Sequence, residues 1–207
     1  MKKIFCIRHG EAQHNLDWFD FGEAAYFMKG KTDPKLTIKG NKQSLNFKEI
    51  DKVELIITSP LTRCLETTIN IFGNVKVPIY ASENAREFPM GLQYVNKRSK
   101  KSALENRFKK IDFSNLKSEE DLLWNNERLE NLEELNNRTK KLMDFIVKRP
   151  EKNIALVSHS SFLMKFLYDK VDENHEKELI HCHPYLKIIE GTDFEKHKES
   201  SSVYSTY

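Results

Sequence analysis

The chain has 207 residues, 39% of them hydrophobic and 11% aromatic, which is enough for one sizeable core and more than a disordered chain carries. Its 34 basic and 31 acidic side chains leave a net charge of +3, so bulk charge gives no support to a nucleic-acid partner and any anion site must come from local placement. Cys6, Cys64 and Cys182 are far apart and lack metal-ligand spacing. Free thiols in a reducing compartment, the cytoplasm by default, are the expectation. No apolar run approaches the ~18 residues of a membrane span, and the apolar stretch after Lys3 stops at Arg8 and His9, too soon for a signal peptide.

In chain order, residues 3–7 (KIFCI) read as a short buried strand that ends at Arg8-His9-Gly10. A helix is expected over 37–50, after the turn at Pro34. The run at 53–58 (VELIIT) predicts a second strand, ending at Ser59-Pro60. Pro60 suits the first turn of a helix that reaches Phe72 and stops at Gly73. Residues 75–80 form a weaker strand candidate, interrupted by Pro78. Residues 81–126 break the alternation. They are polar, with a basic centre at Lys97, Arg98, Lys100 and Lys101, and read as an insertion capping the sheet edge. In 127–148, Leu132, Leu135, Leu142, Phe145 and Ile146 mark an amphipathic helix that ends before Pro150. Residues 153–157 (NIALV) give a third clear strand, ending at Ser158-His159. Ser160 or Ser161 is expected to cap a helix through Leu167. A last strand falls at 185–190, and 192–207 reads as a flexible tail. Alternating strands and helices predict an α/β fold, a three-layer α/β/α sandwich with a mainly parallel sheet, in a single domain over 1–191. Seven glycines leave no GxxxxGK[ST] or GxGxxG loop.

Three strand ends carry similar cargo: Arg8, His9, Gly10 and Glu11; then Ser59 with Arg63 on the following helix; then Ser158, His159 and Ser160. Ligands in parallel α/β sheets bind outside the carboxyl ends of the strands. Two arginines and two histidines converging there suit a dianionic phosphoryl group, since guanidinium forks match phosphate oxygens and imidazole can attack phosphorus.

These residues also carry a resemblance. Arg8-His9-Gly10-Glu11 resembles the RHGE signature of the histidine phosphatase superfamily, the phosphoglycerate mutase-like fold. Asp33, Leu36, Thr37, Gly40 and Gln43 are similar to its DxxLTxxGxxQ motif. Ser59-Pro60-Leu61, Arg63 and Thr67 resemble SPLxRxxxT, Arg86-Glu87 resembles the RE pair, and Ser158-His159 resembles the segment with the second histidine. The stretch from Lys97 to Trp124 is similar to a plant and fungal phosphoglycerate mutase-like subgroup. The resemblance implies catalysis by His9, Arg8, Arg63 and His159, with Glu87 as the proton donor, and no cofactor or metal. It further suggests that Asn15, Thr37 and Ser160 line the pocket or fix its loops. Glu83, Glu11 and Glu105 compete with Glu87 for the acid role. The basic cluster at Lys97 and Arg98 is either a solvated face or a guide for an anionic substrate.

The resulting expectation is a metal-independent phosphatase acting on a small phosphorylated metabolite or nucleotide through a phosphohistidine on His9. The alternatives are a phosphoglycerate mutase and a catalytically inactive phospholigand-binding relative. The only partner expected is that phosphorylated substrate, with no nucleic acid or membrane, and the oligomeric state is open to a homo-oligomer. Two departures from the family pattern stand out. Ser161 replaces the usual glycine two residues after the second histidine. The segment His181-Cys182-His183 is unlike the pattern late in the family, and its alternation could turn both histidines to one metal.

Overall fold

The computed structural model describes residues 1–48, 50, 52–171 and 178–190, so the expected tail falls outside the described residues. Among these, five strands form one sheet in the order β3-β2-β4-β1-β5, with β1 at Lys2–Arg8, β2 at Leu55–Thr58, β3 at Ile79–Ala81, β4 at Asn153–Ser158 and β5 at Pro184–Ile189. β1, β2, β3 and β4 run parallel, and β5 pairs antiparallel with β1. The fold is therefore the expected α/β class with a mainly parallel sheet.

The period of two along the strands builds two cores. Ile4, Cys6, Leu55, Ile57, Ile154 and Leu156 face one side, where they meet Leu135, Leu142 and Ile146 of α5 (Leu132–Lys148) and Phe162, Leu163 and Phe166 of α6 (Ser160–Tyr168). Ile7, Ile56, Ala155 and Val157 face the other, against Cys64, Leu65 and Phe72 of α3 (Thr62–Phe72) and Leu104 and Phe108 of the insertion. Burial on both faces explains why the strands read as continuous apolar runs.

Several boundaries differ from expectation for identifiable reasons. The helix expected over 37–50 is α2 at Ile38–Leu45, because Asn46 caps it and Phe47 turns to pack its ring 6.4 Å from that of Phe72. The helix expected from 127 starts at Leu132, where Asn131 and Glu134 form a reciprocal capping box. The helix after β4 is capped by the backbone at His159, and Ser160 already lies inside it. Residues 75–78 do not join β3. Pro78 has no N–H for a ladder and only accepts from Ile56. Of two helices that were not anticipated, one lies in the insertion and the other is α1 at Gln13–Phe21. Its N-cap is Ala12, whose amide donates to Asn15 Oδ1, so the usual capping signal is missing.

The insertion holds α4 (Lys101–Arg107), and Asp112 bonds the backbone of Ile79 and Ala81, covering the outer edge of β3. It is pinned by Arg86, fully buried and paired in bidentate fashion with Asp121.

Candidate active site

The carboxyl ends of β1, β2 and β4 deliver their cargo to one place. His9 is 1% exposed, and its Nδ1 lies 2.7 Å from the Gly10 carbonyl. A carbonyl only accepts, so Nδ1 carries the proton and the lone pair sits on Nε2. Arg63 Nε donates to that Nε2 at 3.3 Å. The other two arms of Arg63 are held by the Val95 carbonyl and Asn96 Oδ1, each at 2.8 Å. Burial first, then Arg63 and His159, hold His9 well below the usual histidine range, so the imidazole is neutral near pH 7.

Five other motif residues, Thr67, Gln43, Thr37, Gly40 and Asp33, shape the surrounding backbone and do not line the cavity. Thr67 lies one turn after Arg63 on α3. Its hydroxyl donates to the Arg63 carbonyl at 2.8 Å and accepts from the Gly10 amide at 3.0 Å. Gln43 accepts from the Glu11 amide at 2.8 Å. Thr37 caps α2 through the Gly40 amide and donates to the Glu11 carboxylate. Asp33 takes the amide and hydroxyl of Thr62, opening α3, and both donors of Ser99 in the insertion. At Gly40 the chains approach so closely that a Cβ would lie 1.9 Å from the Glu11 carbonyl oxygen.

A narrow cavity of about 40 Å³ opens over His9, lined by Arg8, His9, His14, Asn15, Tyr26, Arg63, Glu87, Phe88, Pro89, Gln93, Val95, Asn96, Ser161 and Glu178. A wider one, about 720 Å³ between α5 and residues 122–130, shares none of these residues. Of the expected site residues, Arg8, His9, Arg63, Glu87 and Asn15 line the narrow cavity, as does Ser161 in place of the family glycine. His159 does not line it but packs edge-on to His9 with ring centroids 5.1 Å apart, its Nε2 2.8 Å from the Ser59 hydroxyl.

Four expected contacts fall elsewhere. Thr37 is the helix cap just described. Ser160 accepts from the Leu179 amide. Lys97 lies over the Trp124 ring at 4.2 Å. Arg98 is buried and holds the turn at 118–120 by its carbonyls, with Glu83 as its ion partner. Lys100 and Lys101 pair with Glu120 and Glu105. The basic cluster thus packs the insertion and does not face His9.

Among the competing carboxylates, Glu11 is bound by Lys39 and Thr37, Glu83 by Arg86 and Arg98, and Glu105 by Lys101. Glu87 does reach the cavity. Its Oε1 accepts from the Phe88 and Phe162 amides, yet desolvation outweighs these bonds and raises its carboxyl above the usual range. Arg138 of α5 orients this segment by donating to the carbonyls of Asn84, Arg86 and Glu87.

Residues absent from the sequence motifs also gather here. His14 and His181 lie with ring centroids 5.8 and 5.6 Å from that of His9. Glu178 bonds Arg8 at 2.8 Å. His181 donates from Nδ1 to the His9 carbonyl, while His183 packs on Tyr185, so the two do not share one site. No group of three His, Cys, Asp or Glu suited to a metal occurs among the described residues. Nor is any described helix long and apolar enough to cross a membrane.

A sheet with a histidine at the end of its first strand, flanked by arginine and a second histidine, defines the class: the chain belongs to the histidine phosphatase superfamily (branch 1), whose model matches residues 4–191. It is 30% identical over 221 residues to phosphoglycerate mutase-like protein 1 of Arabidopsis thaliana, across 90% of this chain and 75% of that protein. Its fold is similar to that of YhfR from Bacillus stearothermophilus (TM-score 0.62, 22% identity, 92% of this chain and 93% of that one). It is equally similar to the alpha-ribazole phosphatase from Shigella flexneri (TM-score 0.62, 16% identity, 91% of each).

Proposed function

We propose that the protein is a phosphomonoesterase that works through a phosphohistidine on His9. The observation that carries this reading is the pairing of a neutral, tautomer-fixed His9 with a Glu87 carboxyl held above its usual range, both lining one cavity. His9 Nε2 attacks phosphorus, and the bond to the ester oxygen breaks as Glu87 gives that oxygen its proton. Arg8 and Arg63 offset the charge on the equatorial oxygens. Water then gives a proton to Glu87 and attacks phosphorus, the N–P bond breaks, and phosphate leaves.

Hydrolysis is favoured over a mutase reaction by the supply of cations. Among the described residues lining the cavity, only Arg8 and Arg63 are cationic, so a second anionic group finds no spare partner. The test is rapid mixing with a phosphomonoester in chelator, quenching into alkali and mapping the labelled peptide. Label on His9 that turns over to phosphate is the expected result. Turnover that survives His9→Ala at the wild-type rate would refute it.

A further inference from the structure

Three residues that line the cavity, His14, Tyr26 and Glu178, have no part in the phosphoryl transfer just described. His14 is 8% exposed and lines the cavity, yet its Nδ1 is buried without a hydrogen-bond partner. No described residue uses that nitrogen, and a buried polar atom left without a hydrogen bond is costly to the fold. Next to it stands Tyr26, ring centroids 6.0 Å apart, on the 3₁₀ segment Gly22–Phe27. Across from them Glu178 brings a carboxylate to the rim, 2.8 Å from Arg8 and 41% exposed.

We propose that His14, Tyr26 and Glu178 form a leaving-group subsite that selects phosphate esters of uncharged, hydroxyl-bearing alcohols and rejects alcohols carrying a second anion. The inference rests on the phosphomonoesterase reading and supplies its substrate class. The chemistry of the three walls agrees. Burial and the arginines keep His14 neutral, so it offers a hydrogen bond without charge. Tyr26 is pushed up to about 12 by desolvation and then by Glu178 and Glu87, so its phenol remains a neutral donor and acceptor. A hydroxyl can donate a hydrogen bond to Glu178 or bond the unpartnered His14 nitrogen. A carboxylate or second phosphate would face Glu178 in a narrow space with both arginines occupied by the transferring group. The phosphoryl group must itself take Arg8 from Glu178, which leaves that carboxylate free to face the alcohol.

Glycerol 3-phosphate and 3-phosphoglycerate make the test, since they differ only by a hydroxymethyl against a carboxylate. Each is measured as a substrate and as an inhibitor of 4-nitrophenyl phosphate turnover. Glycerol 3-phosphate should be preferred at least about tenfold in kcat/KM or in inhibition constant. Glu178→Gln should narrow that ratio at least about threefold, a comparison indifferent to any gain both ligands share from a freer Arg8. His14→Phe should raise KM for glycerol 3-phosphate relative to that for 4-nitrophenyl phosphate more than it lowers kcat, with His14→Asn recovering part of the loss. Because no described residue partners Nδ1, His14→Phe, which keeps a ring there, should not lower the unfolding midpoint. Equal use of the pair, preference for 3-phosphoglycerate, or an unchanged ratio in Glu178→Gln would overturn the subsite. Failure to turn over 4-nitrophenyl phosphate at all would instead bring down the phosphomonoesterase reading beneath it.

Discussion

At the scale of single residues, solvation sets the proposed acid apart. Four glutamates stand near the motifs by sequence, and three are spent on cations. Glu87 has two backbone amides and no arginine or lysine in direct bond, so burial raises its carboxyl above the usual range. Glu87→Gln should therefore slow phosphoenzyme formation about 10²-fold or more on alkyl phosphates, which leave as strongly basic alkoxides. On 4-nitrophenyl phosphate, whose phenolate needs little help, the loss should stay under about tenfold. Single-turnover measurement with both esters checks this, and equal losses would move the role to another group. Activity should fall as pH rises through the raised carboxyl value, and that alkaline limb should vanish in the variant. Of the residues read from sequence that line the cavity, Arg8, His9, Arg63 and Glu87 are of types that phosphoryl chemistry dictates, and Asn15 joins them. His14, Tyr26, Glu178 and His181 were not legible there, because their placement comes from loops that no periodicity marks. Lys97 and Arg98 misled for the opposite reason. Charge in a sequence does not say whether it faces solvent, a ring or a carbonyl.

At the scale of elements, the loop after β1 is shaped from outside. α3 fixes it through Thr67, and α2 presses on it at Gly40. Gly40→Ala should thus displace Glu11 and the adjoining Gly10, with a stability loss of about 1–3 kcal/mol from overpacking. Turnover should fall at least about tenfold, since small misplacement of reacting groups is costly. Denaturant unfolding and steady-state kinetics test both, and a variant with wild-type kinetics would show that α2 does not position His9. The four parallel strands and the helices that flank them were readable because apolar runs and caps are local signals. α1 was not, having no side-chain cap and little apolar periodicity. The limits of α2 and α5 shifted where Asn46 and Asn131 cap them.

At the scale of the whole molecule, His9, His14, His159 and His181 all titrate below their usual value, burial being the first cause in each. Such groups stay neutral in the folded chain while they charge in the unfolded one. Their contribution is complete above the unfolded value near 6.5 and is lost as pH falls toward the lower folded values. Stability should drop by up to about 1.4 kcal/mol per pH unit for each histidine as pH falls from 6.5. Glu87 acts in the other sense, its protonated form favouring the fold below the usual carboxyl range and less so as pH rises. Urea unfolding from pH 7.5 to 5.5 reads the balance, and a flat midpoint over that range would contradict the burial of the histidines. The strand order has a different consequence, one of time. β1 is made well before either of its partners: Lys3 pairs with Asn153, and Lys2 with Ile189. At translation rates of ~5–20 residues per second, β1 waits roughly 7 to 30 seconds for β4 alone. During that interval its apolar run lacks both of its sheet neighbours, and exposed apolar surface of that kind makes an incomplete chain prone to aggregate until the fourth strand is made.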